Sequence, residues 1–258
     1  NKIVAAGETQ NAGTFEVYGN VTFKGDIEFN GQCRLRGGNT IRYLGKCDKT
    51  GTGGNITIQN GGTHIFEAPI SWSPNYIYGD GGGTFQFNAT GNVYDRAMLS
   101  ASTLKAGAVN ALDNKEHYYG GTGTGGWIDL NGFDQQITSL HDQNTSFTAR
   151  THGVKSSGKA TLTISGSANN HFSGQFNGAA SLDWAPTADR TFTVSNTTWD
   201  TTGAITVSAG TVKFVDGTAA PNITELTVAS GAACLGKFIG RNLQIGERAV
   251  VELGLQLA

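Results

Sequence analysis

The sequence is short of proline, cysteine and charged side chains, and each shortage excludes a class of protein. Four prolines in 258 residues exclude collagen and proline-rich linkers, although glycine reaches 38 residues. Three cysteines cannot build a disulfide scaffold. Charged residues make up 15% of the chain, below the roughly 25% of an average soluble protein. Much glycine with little proline is instead typical of many tight corners between short strands.

Two kinds of partner are disfavoured by the charge balance and the hydropathy pattern. The net charge is −2 and no basic block occurs, so the sequence offers no electrostatic basis for binding nucleic acid. No apolar run approaches the roughly 20 residues that cross a bilayer, so we expect no membrane span in this chain. The chain begins at Asn1 without a signal-peptide core, which favours a mature portion or a fragment of a longer protein.

The three cysteines have two interpretations. Cys33 lies two residues before Leu35, so both side chains are expected to face the same interior. This favours a free buried thiol at Cys33. A bridge between Cys33 and Cys47 is the alternative that the sequence leaves open.

Apolar residues recur in pairs from residue 15 onwards, separated by glycine-containing corners. The pairs are Phe15/Val17, Val21/Phe23, Ile27/Phe29, Cys33/Leu35 and Ile41/Tyr43, and the pattern continues through Ile56/Ile58 and Ile65. Hairpins with two-residue turns would place the apolar side chains of successive strands on opposite faces. A corner that carries the chain forward by an even number of residues keeps every pair pointing inward. We therefore predict an all-β, three-sided solenoid with about 18 to 25 residues in each coil.

The same pattern continues to the C-terminus, less regularly. We predict one continuous domain over residues 1–258, with N-terminal coils over 1–99, repeat-like coils over 100–215 and C-terminal coils over 216–258. Between about residues 68 and 126 the pattern loosens among glycine-rich turns, where we expect lateral loops. Aromatic residues in this region could stack on sugar rings, or could cover apolar surface beneath a loop: Trp72, Tyr76, Tyr78, Tyr118 and Tyr119.

No motif in the sequence predicts catalysis, and we expect no catalytic residue, cofactor or metal ion. Gly121-x-Gly123-x-x-Gly126 and the stretch from Gly231 to Lys237 approach nucleotide-binding motifs, but no predicted helix follows either. Trp127-Ile-Asp129 resembles a pectate lyase signature, yet Leu130 replaces its histidine. The histidines follow no metal-ligand spacing and accompany no nucleophile motif; they are His64, His117, His141, His152 and His171.

One stretch resembles a known repeat. Trp127-Ile-Asp-Leu-Asn-Gly-Phe-Asp-Gln-Gln-Ile-Thr-Ser-Leu140 resembles the passenger-associated transport repeat, also called the autotransporter-associated β-strand repeat. Residues 104–112 resemble the first half of that repeat, and residues 160–174 and 202–214 resemble the sheet-building segments around it. The chain departs from the family pattern where Trp127 replaces the usual leucine and where 113–126 forms a longer, more polar connector.

The resemblance covers roughly residues 100–215 and implies both a fold and a location. It implies a right-handed parallel β-helix within a secreted or surface-displayed passenger of a Gram-negative-type bacterium. The repeat is a scaffold motif, so the resemblance implies no catalytic residues. It also implies an extracellular or outer-membrane surface location.

These features together predict a structural segment that acts as a rigid stalk and an adhesin. Its expected partners are host or extracellular glycans or surface proteins. End-to-end self-association is a further expectation, because solenoid ends expose unpaired strand edges. The alternative is a polysaccharide-binding or polysaccharide-degrading β-helix protein that uses the five aromatic residues named above.

Overall fold

A computed structural model describes most of the chain as short strands joined by tight corners. It describes residues 3–6, 13–50, 54–59, 61–112, 115–120, 125–143, 151–195, 199–215, 222–236, 239–247 and 249–253. Within these ranges there is no helix, so none of them forms a helix long and apolar enough to cross a membrane. The chain divides into two compact units, residues 1–129 and residues 130–258.

Unit 1 contains sixteen strands among its described residues, most of them three or four residues long. They are β1 (Ile3–Ala6), β2 (Gly13–Glu16), β3 (Val21–Phe23), β4 (Ile27–Asn30), β5 (Cys33–Arg36), β6 (Thr40–Tyr43), β7 (Cys47–Thr50), β8 (Ile56–Gln59), β9 (Thr63–Phe66), β10 (Ile70–Ser71), β11 (Ile77–Gly79), β12 (Thr84–Phe87), β13 (Arg96–Leu99), β14 (Thr103–Ala106), β15 (Glu116–Tyr119) and β16 (Trp127–Asp129).

The strands of unit 1 form three parallel sheets, A, B and C; the chain visits them in rotation from β1 to β12, and β13 to β16 then alternate between sheets B and C. Sheet A has the order β1-β4-β7-β10, sheet B the order β2-β5-β8-β11-β13-β15, and sheet C the order β3-β6-β9-β12-β14-β16. Ile27 pairs with Cys47 and Ile41 pairs with His64, so these two coils take 20 and 23 residues. Such a rotation among three parallel sheets is a three-sided β-solenoid.

The interior of unit 1 is a ladder of side chains in register. Phe23, Tyr43, Phe66 and Phe87 occupy matching positions on β3, β6, β9 and β12. The rings of Tyr43 and Phe66 stack with centroids 4.7 Å apart, and those of Phe66 and Phe87 lie 5.4 Å apart. Aromatic pairs of this kind contribute about 0.5–1.5 kcal/mol each beyond their buried area. The interior therefore stabilises the parallel register as well as the fold.

Glycine allows the corners of successive coils to touch. A Cβ atom on Gly62 would lie 1.8 Å from the carbonyl oxygen of Gly37. A Cβ atom on Gly83 would lie 2.9 Å from the oxygen of Gly62 and 2.1 Å from Cγ2 of Ile58. Real Cβ atoms do not approach other atoms this closely, so the stacked corners require glycine at Gly62 and Gly83.

Unit 2 contains thirteen strands among its described residues. They are β17 (Gln135–Ile137), β18 (Ser139–Asp142), β19 (Gly153–Ile164), β20 (Asn170–Phe172), β21 (Gln175–Trp184), β22 (Thr191–Val194), β23 (Asp200–Thr201), β24 (Ala204–Val207), β25 (Thr211–Phe214), β26 (Asn222–Val228), β27 (Ala233–Gly236), β28 (Ile239–Ile245) and β29 (Val250–Leu253).

Unit 2 is also a parallel solenoid. Sheet D has the order β19-β21-β24-β26-β28, with β17 paired to β19 and β23 paired to β21 and β26. Sheet E has the order β20-β22-β25-β27-β29. Leu162, Leu182, Ile205 and Leu226 occupy one inward column of sheet D, and each is at most 1% exposed. This column is the aliphatic counterpart of the aromatic ladder in unit 1.

The predicted all-β, parallel solenoid is confirmed. The predicted pairs Ile27/Phe29, Cys33/Leu35 and Ile41/Tyr43 are all at most 1% exposed. Ile65 is also buried, at 7% exposed, although the register aligns it with Arg42 and sets the neighbouring Phe66 against the interior Tyr43. The right-handed winding of the coils, the lateral loops and the single continuous domain stay predictions.

The cysteine prediction is also confirmed. Cys33, Cys47 and Cys234 are free and buried, so no Cys33–Cys47 bridge forms. Burial raises the pKa of Cys33 to about 11 and the pKa values of Cys47 and Cys234 to about 12. All three side chains therefore stay protonated in the folded protein at neutral pH.

Candidate functional site

The structure separates the five predicted sugar-contacting aromatic residues into two groups. Trp72 is fully buried and Tyr119 is 1% exposed, so both belong to the interior. The indole of Trp72 packs edge-on against the ring of Phe66, with centroids 5.2 Å apart. Trp72 and Tyr119 therefore cannot contact a ligand at the surface, which corrects their assignment as candidate sugar contacts.

Tyr76, Tyr78 and Tyr118 form the second group, on the outward face of sheet B. Their side chains are half-buried. Tyr78 pairs in register with Met98, and Met98 pairs with Tyr118. Since neighbouring strands lie about 4.8 Å apart, the two tyrosines stand roughly 10 Å apart along the solenoid axis. The alternation of side chains along a strand explains why the aromatic residues divide into an interior and an outward group, because Tyr118 points outward and the adjacent Tyr119 points inward.

Arg96 connects the tyrosines of this face. Its guanidinium carbon lies 5.2 Å from the ring centroid of Tyr76 and 5.8 Å from that of Tyr118. Both distances are within the range of a cation–π interaction. The Nε atom of Arg96 is buried and has no hydrogen-bond partner among the described residues. We call Tyr76, Tyr78, Arg96, Met98 and Tyr118 the tyrosine face.

The tyrosines of this face are held in their neutral form. Burial raises the pKa of Tyr78, and the nearby Asp80 and Tyr76 raise it further. Burial also raises the pKa of Tyr118, while the positive charge of Arg96 acts in the opposite direction. The tyrosine face therefore offers neutral ring faces, phenol hydroxyls and one cation to a ligand.

A second group of functional side chains lies in unit 2, and the sequence did not point to it. The carboxylate of Asp142 is fully buried, with Oδ1 3.0 Å from Nε2 of His152. Its Oδ2 atom accepts a hydrogen bond of 2.7 Å from the backbone N–H of Ser173 and lies 3.7 Å from Nδ1 of His171. The other ring nitrogen of His171, Nε2, lies 2.9 Å from Oγ of Ser195. We call Asp142, His171 and Ser195 the serine–histidine–aspartate group.

A neighbouring polar network supports the strand that carries Asp142. The hydroxyl of Ser139 donates to Oδ1 of Asn170 at 2.8 Å, and the backbone N–H of Leu140 donates to the same oxygen at 2.7 Å. Oγ of Ser139 also lies 2.9 Å from Nδ1 of His141. Buried polar groups paired in this way hold β18 and β20 in a defined relation.

The members of the serine–histidine–aspartate group come from different coils, so the sequence could reveal them only to a reader who knows how many residues each coil takes. His171 and Ser195 are 24 residues apart, and Asp142 and Ser173 are 31 residues apart. Unequal coil lengths hide this recurrence from a search for fixed spacings. The described residues include no group of three or more His, Cys, Asp or Glu side chains arranged to hold a metal ion.

The glycine-rich motifs of the sequence do not introduce helices where the structure describes them. Residues 121–124 and 237–238 lie outside the described ranges, and Gly126 is followed by strand β16 (Trp127–Asp129). No protein-family model matches this sequence, and no match is found among curated proteins or among solved structures.

Proposed function

We propose that this chain is a structural segment of a bacterial secreted or surface-displayed passenger, where it acts as a rigid stalk with an adhesive surface. The observation that carries the proposal is the in-register parallel ladder inside each unit, closed by glycine corners that stack coil on coil. Each coil pairs its backbone with the coils before and after it, and this continuous pairing makes each unit stiff along its stack of coils. The likeness of residues 127–140 to the autotransporter-associated repeat supports the same role.

The outward surfaces are consistent with exposure to an external medium. On sheet E, Thr191 pairs with Thr211 and Thr193 pairs with Lys213, and all four side chains face outward. Hydroxyl-bearing side chains on the outer face add strand propensity without adding apolar surface. The proposal includes association of copies through strand edges, which sedimentation across a concentration series detects as a rising mass.

Surface display tests the role directly. The full chain is fused behind a secretion signal and ahead of an outer-membrane anchor, and an N-terminal epitope is detected on intact cells. We expect antibody binding on intact cells and a protease-resistant product. A matched variant, Ile41→Asp, places a charge in the interior ladder and should give a protease-sensitive product. Equal protease resistance in both chains, or an epitope detected only after lysis, would contradict the proposal.

The tyrosine face supports a second candidate function, binding of extracellular polysaccharide. Aromatic rings offer apolar faces to the C–H surfaces of sugar rings, and phenol hydroxyls and a guanidinium can hydrogen-bond to sugar hydroxyls. The recurrence of tyrosine two coils further along, with Met98 between, supports a linear chain of sugars as the ligand rather than a single sugar.

Affinity electrophoresis in gels containing different polysaccharides, preceded by a glycan array, tests this second function. We expect Tyr118→Ala and Tyr78→Ala to weaken retardation about tenfold, which corresponds to about 1.4 kcal/mol. Tyr18→Ala is the control, because Tyr18 is 82% exposed and lies outside the tyrosine face. A blank array, or equal losses in all three variants, would exclude the tyrosine face as a sugar-binding site.

A further inference from the structure

Three side chains from β18, from β20 and from the residue after β22 meet in an order that suits nucleophilic catalysis. Asp142 ends β18, His171 lies at the centre of β20, and Ser195 directly follows β22. The backbone N–H of Ser195 donates to the carbonyl oxygen of Phe172 at 3.0 Å. The serine is therefore held by main-chain pairing against the same strand that carries the histidine.

The histidine ring connects the two oxygen-bearing groups through opposite nitrogens. Nε2 of His171 lies 2.9 Å from Oγ of Ser195, and Nδ1 faces Oδ2 of Asp142 at 3.7 Å. Nδ1 is buried and has no hydrogen-bond partner among the described residues. With the proton on Nδ1, the nearest carboxylate oxygen lies 3.7 Å away, beyond hydrogen-bond distance but close enough for electrostatic attraction, and the lone pair on Nε2 accepts the serine hydroxyl. This is the polarity that activates a serine as a nucleophile.

Asp142 is held in place independently of His171. Its Oδ2 atom accepts a hydrogen bond from the backbone N–H of Ser173 at 2.7 Å, and its Oδ1 atom lies 3.0 Å from Nε2 of His152. The carboxylate is fully buried, whereas the ring of His171 is 28% exposed. A fixed buried carboxylate behind a partly exposed imidazole orients the ring while leaving the serine side accessible to a substrate.

We propose that Ser195, His171 and Asp142 form a hydrolytic site for carboxylic esters. Oγ of Ser195 attacks the ester carbonyl carbon while Nε2 of His171 accepts the hydroxyl proton. The bond from carbon to the leaving oxygen breaks, His171 returns the proton to the departing alcohol, and an acyl-serine forms. Water then attacks the acyl carbon as Nε2 of His171 accepts a proton from it. The bond from the acyl carbon to Oγ breaks, His171 returns the proton to Oγ, and the carboxylic acid leaves. Asp142 is a positioning residue that orients the ring and balances its charge.

The surroundings favour an ester carried on a large molecule. His171 pairs in register with Thr193, and Thr193 pairs with Lys213, so the histidine lies on the outward side of sheet E. Ser195 is half-buried on this face. Since neighbouring strands are about 4.8 Å apart, an extended carrier can lie across several coils while its acyl group reaches the serine.

A fluorophosphonate probe, which forms a covalent adduct with activated serines, tests the proposal on the full chain. We expect an adduct that peptide mass spectrometry places at Ser195, together with turnover in a series of 4-nitrophenyl esters from acetate to octanoate. Ser195→Ala should abolish both signals, and His171→Ala should slow labelling about 100-fold or more. Ser208→Ala is the control, since Oγ of Ser208 donates to Asp183 at 2.7 Å without a histidine beside it.

Asp142→Asn tests the positioning role, because it removes the charge and keeps the side-chain shape. We expect labelling at Ser195 to slow about 100-fold or more, because the amide disfavours the productive tautomer of His171, with partial rescue in Asp142→Glu. If Ser195→Ala fails to fold, Ser195→Cys serves instead, and its thiol should react with iodoacetamide faster than that of Ser208→Cys. A folded wild-type chain without adduct or turnover, or labelling unchanged in Ser195→Ala or His171→Ala, overturns the proposal.

Discussion

The hydroxyl of Tyr43 lies 2.8 Å from Nδ1 of His64 in the interior of unit 1. The two rings are nearly parallel, with centroids 5.9 Å apart, and Nε2 of His64 has no hydrogen-bond partner among the described residues. Burial lowers the pKa of His64 to about 4. The same cause lowers the pKa of His117 to about 4, beside the hydroxyl of Tyr94 at 3.1 Å. The folded interior therefore requires both histidines to be neutral.

These two histidines should make the protein less stable in mild acid. An unfolded histidine has a pKa of about 6.5, so between pH 6.5 and 4 the unfolded chain binds protons that the folded chain excludes. The contribution of the two neutral histidines to the unfolding free energy is complete above pH 6.5, falls as the pH decreases, and stops falling below about pH 4. Each histidine should lower the unfolding free energy by about 2 kcal/mol at pH 5 relative to pH 7. Urea unfolding at pH 7 and pH 5 measures the difference.

A double variant, His64→Gln and His117→Gln, is the control for this pH effect. Glutamine keeps a polar partner for the tyrosine hydroxyls but does not titrate. We expect the double variant to lose most of the difference in unfolding free energy between pH 7 and pH 5. An unchanged difference would show that the acid sensitivity comes from other groups.

The alternation of apolar and polar residues along the chain predicted much of the interior, but it left β9 undecided. Ile27, Phe29 and Ile41 each stand between polar neighbours, so the alternation leaves only one choice of which side chains face the interior. On β9 the adjacent residues Ile65 and Phe66 are both apolar, and the register places Phe66 inside. Local alternation could not decide between them, because the choice depends on the pairing with Tyr43 one coil earlier.

The candidate sites were less predictable than the fold. The sequence indicated Tyr76, Tyr78 and Tyr118 only as members of a larger aromatic set, since their outward direction depends on strand phase. Ser195 and His171 carried no local signal, because their meeting depends on coil lengths that vary along the chain. Side chains that meet between coils are visible only after the register is known.

Substitution of Trp72 should act on stability rather than on ligand binding. Trp72 is fully buried and contacts the rings of Phe66 and Phe29 at centroid distances of 5.2 and 6.2 Å. We expect Trp72→Ala to lower the unfolding free energy by about 3–5 kcal/mol, as for other large-to-small core substitutions. Tyr18→Ala should change it by less than about 0.5 kcal/mol. A loss below about 1 kcal/mol for Trp72→Ala would argue against its interior position.

Two adjacent glycines at one corner should respond differently to alanine. Gly61 has a φ of 76°, and a Cβ atom added there would have no neighbouring atom within 4 Å, whereas a Cβ atom on Gly62 would meet the oxygen of Gly37. We expect Gly61→Ala to cost about 1–2 kcal/mol from backbone strain. Gly62→Ala should cost about 3 kcal/mol or more, because the corners must separate. Thermal unfolding of the pair measures the contrast, and equal costs would count against corner stacking.

The three thiols should be unreactive in the folded protein. Burial holds the pKa values of Cys33, Cys47 and Cys234 at about 11 to 12, so few thiolates exist at pH 8. A chromogenic disulfide reagent should modify no thiol in native buffer and three in urea. Rapid modification of any one in native buffer would show that its coil opens or that the site is exposed.

Spin-label distances along one outward column of unit 1 test the parallel ladder most directly. The column runs through Thr22, Arg42, Ile65, Gln86, Lys105 and Asp129. At about 4.8 Å for each strand step, labels at Thr22→Cys and Lys105→Cys should lie roughly 19 Å apart, and labels at Thr22→Cys and Asp129→Cys roughly 24 Å apart. A parallel ladder predicts this increase of about one strand spacing. Equal distances, or a shorter distance for the pair more distant in sequence, would contradict it.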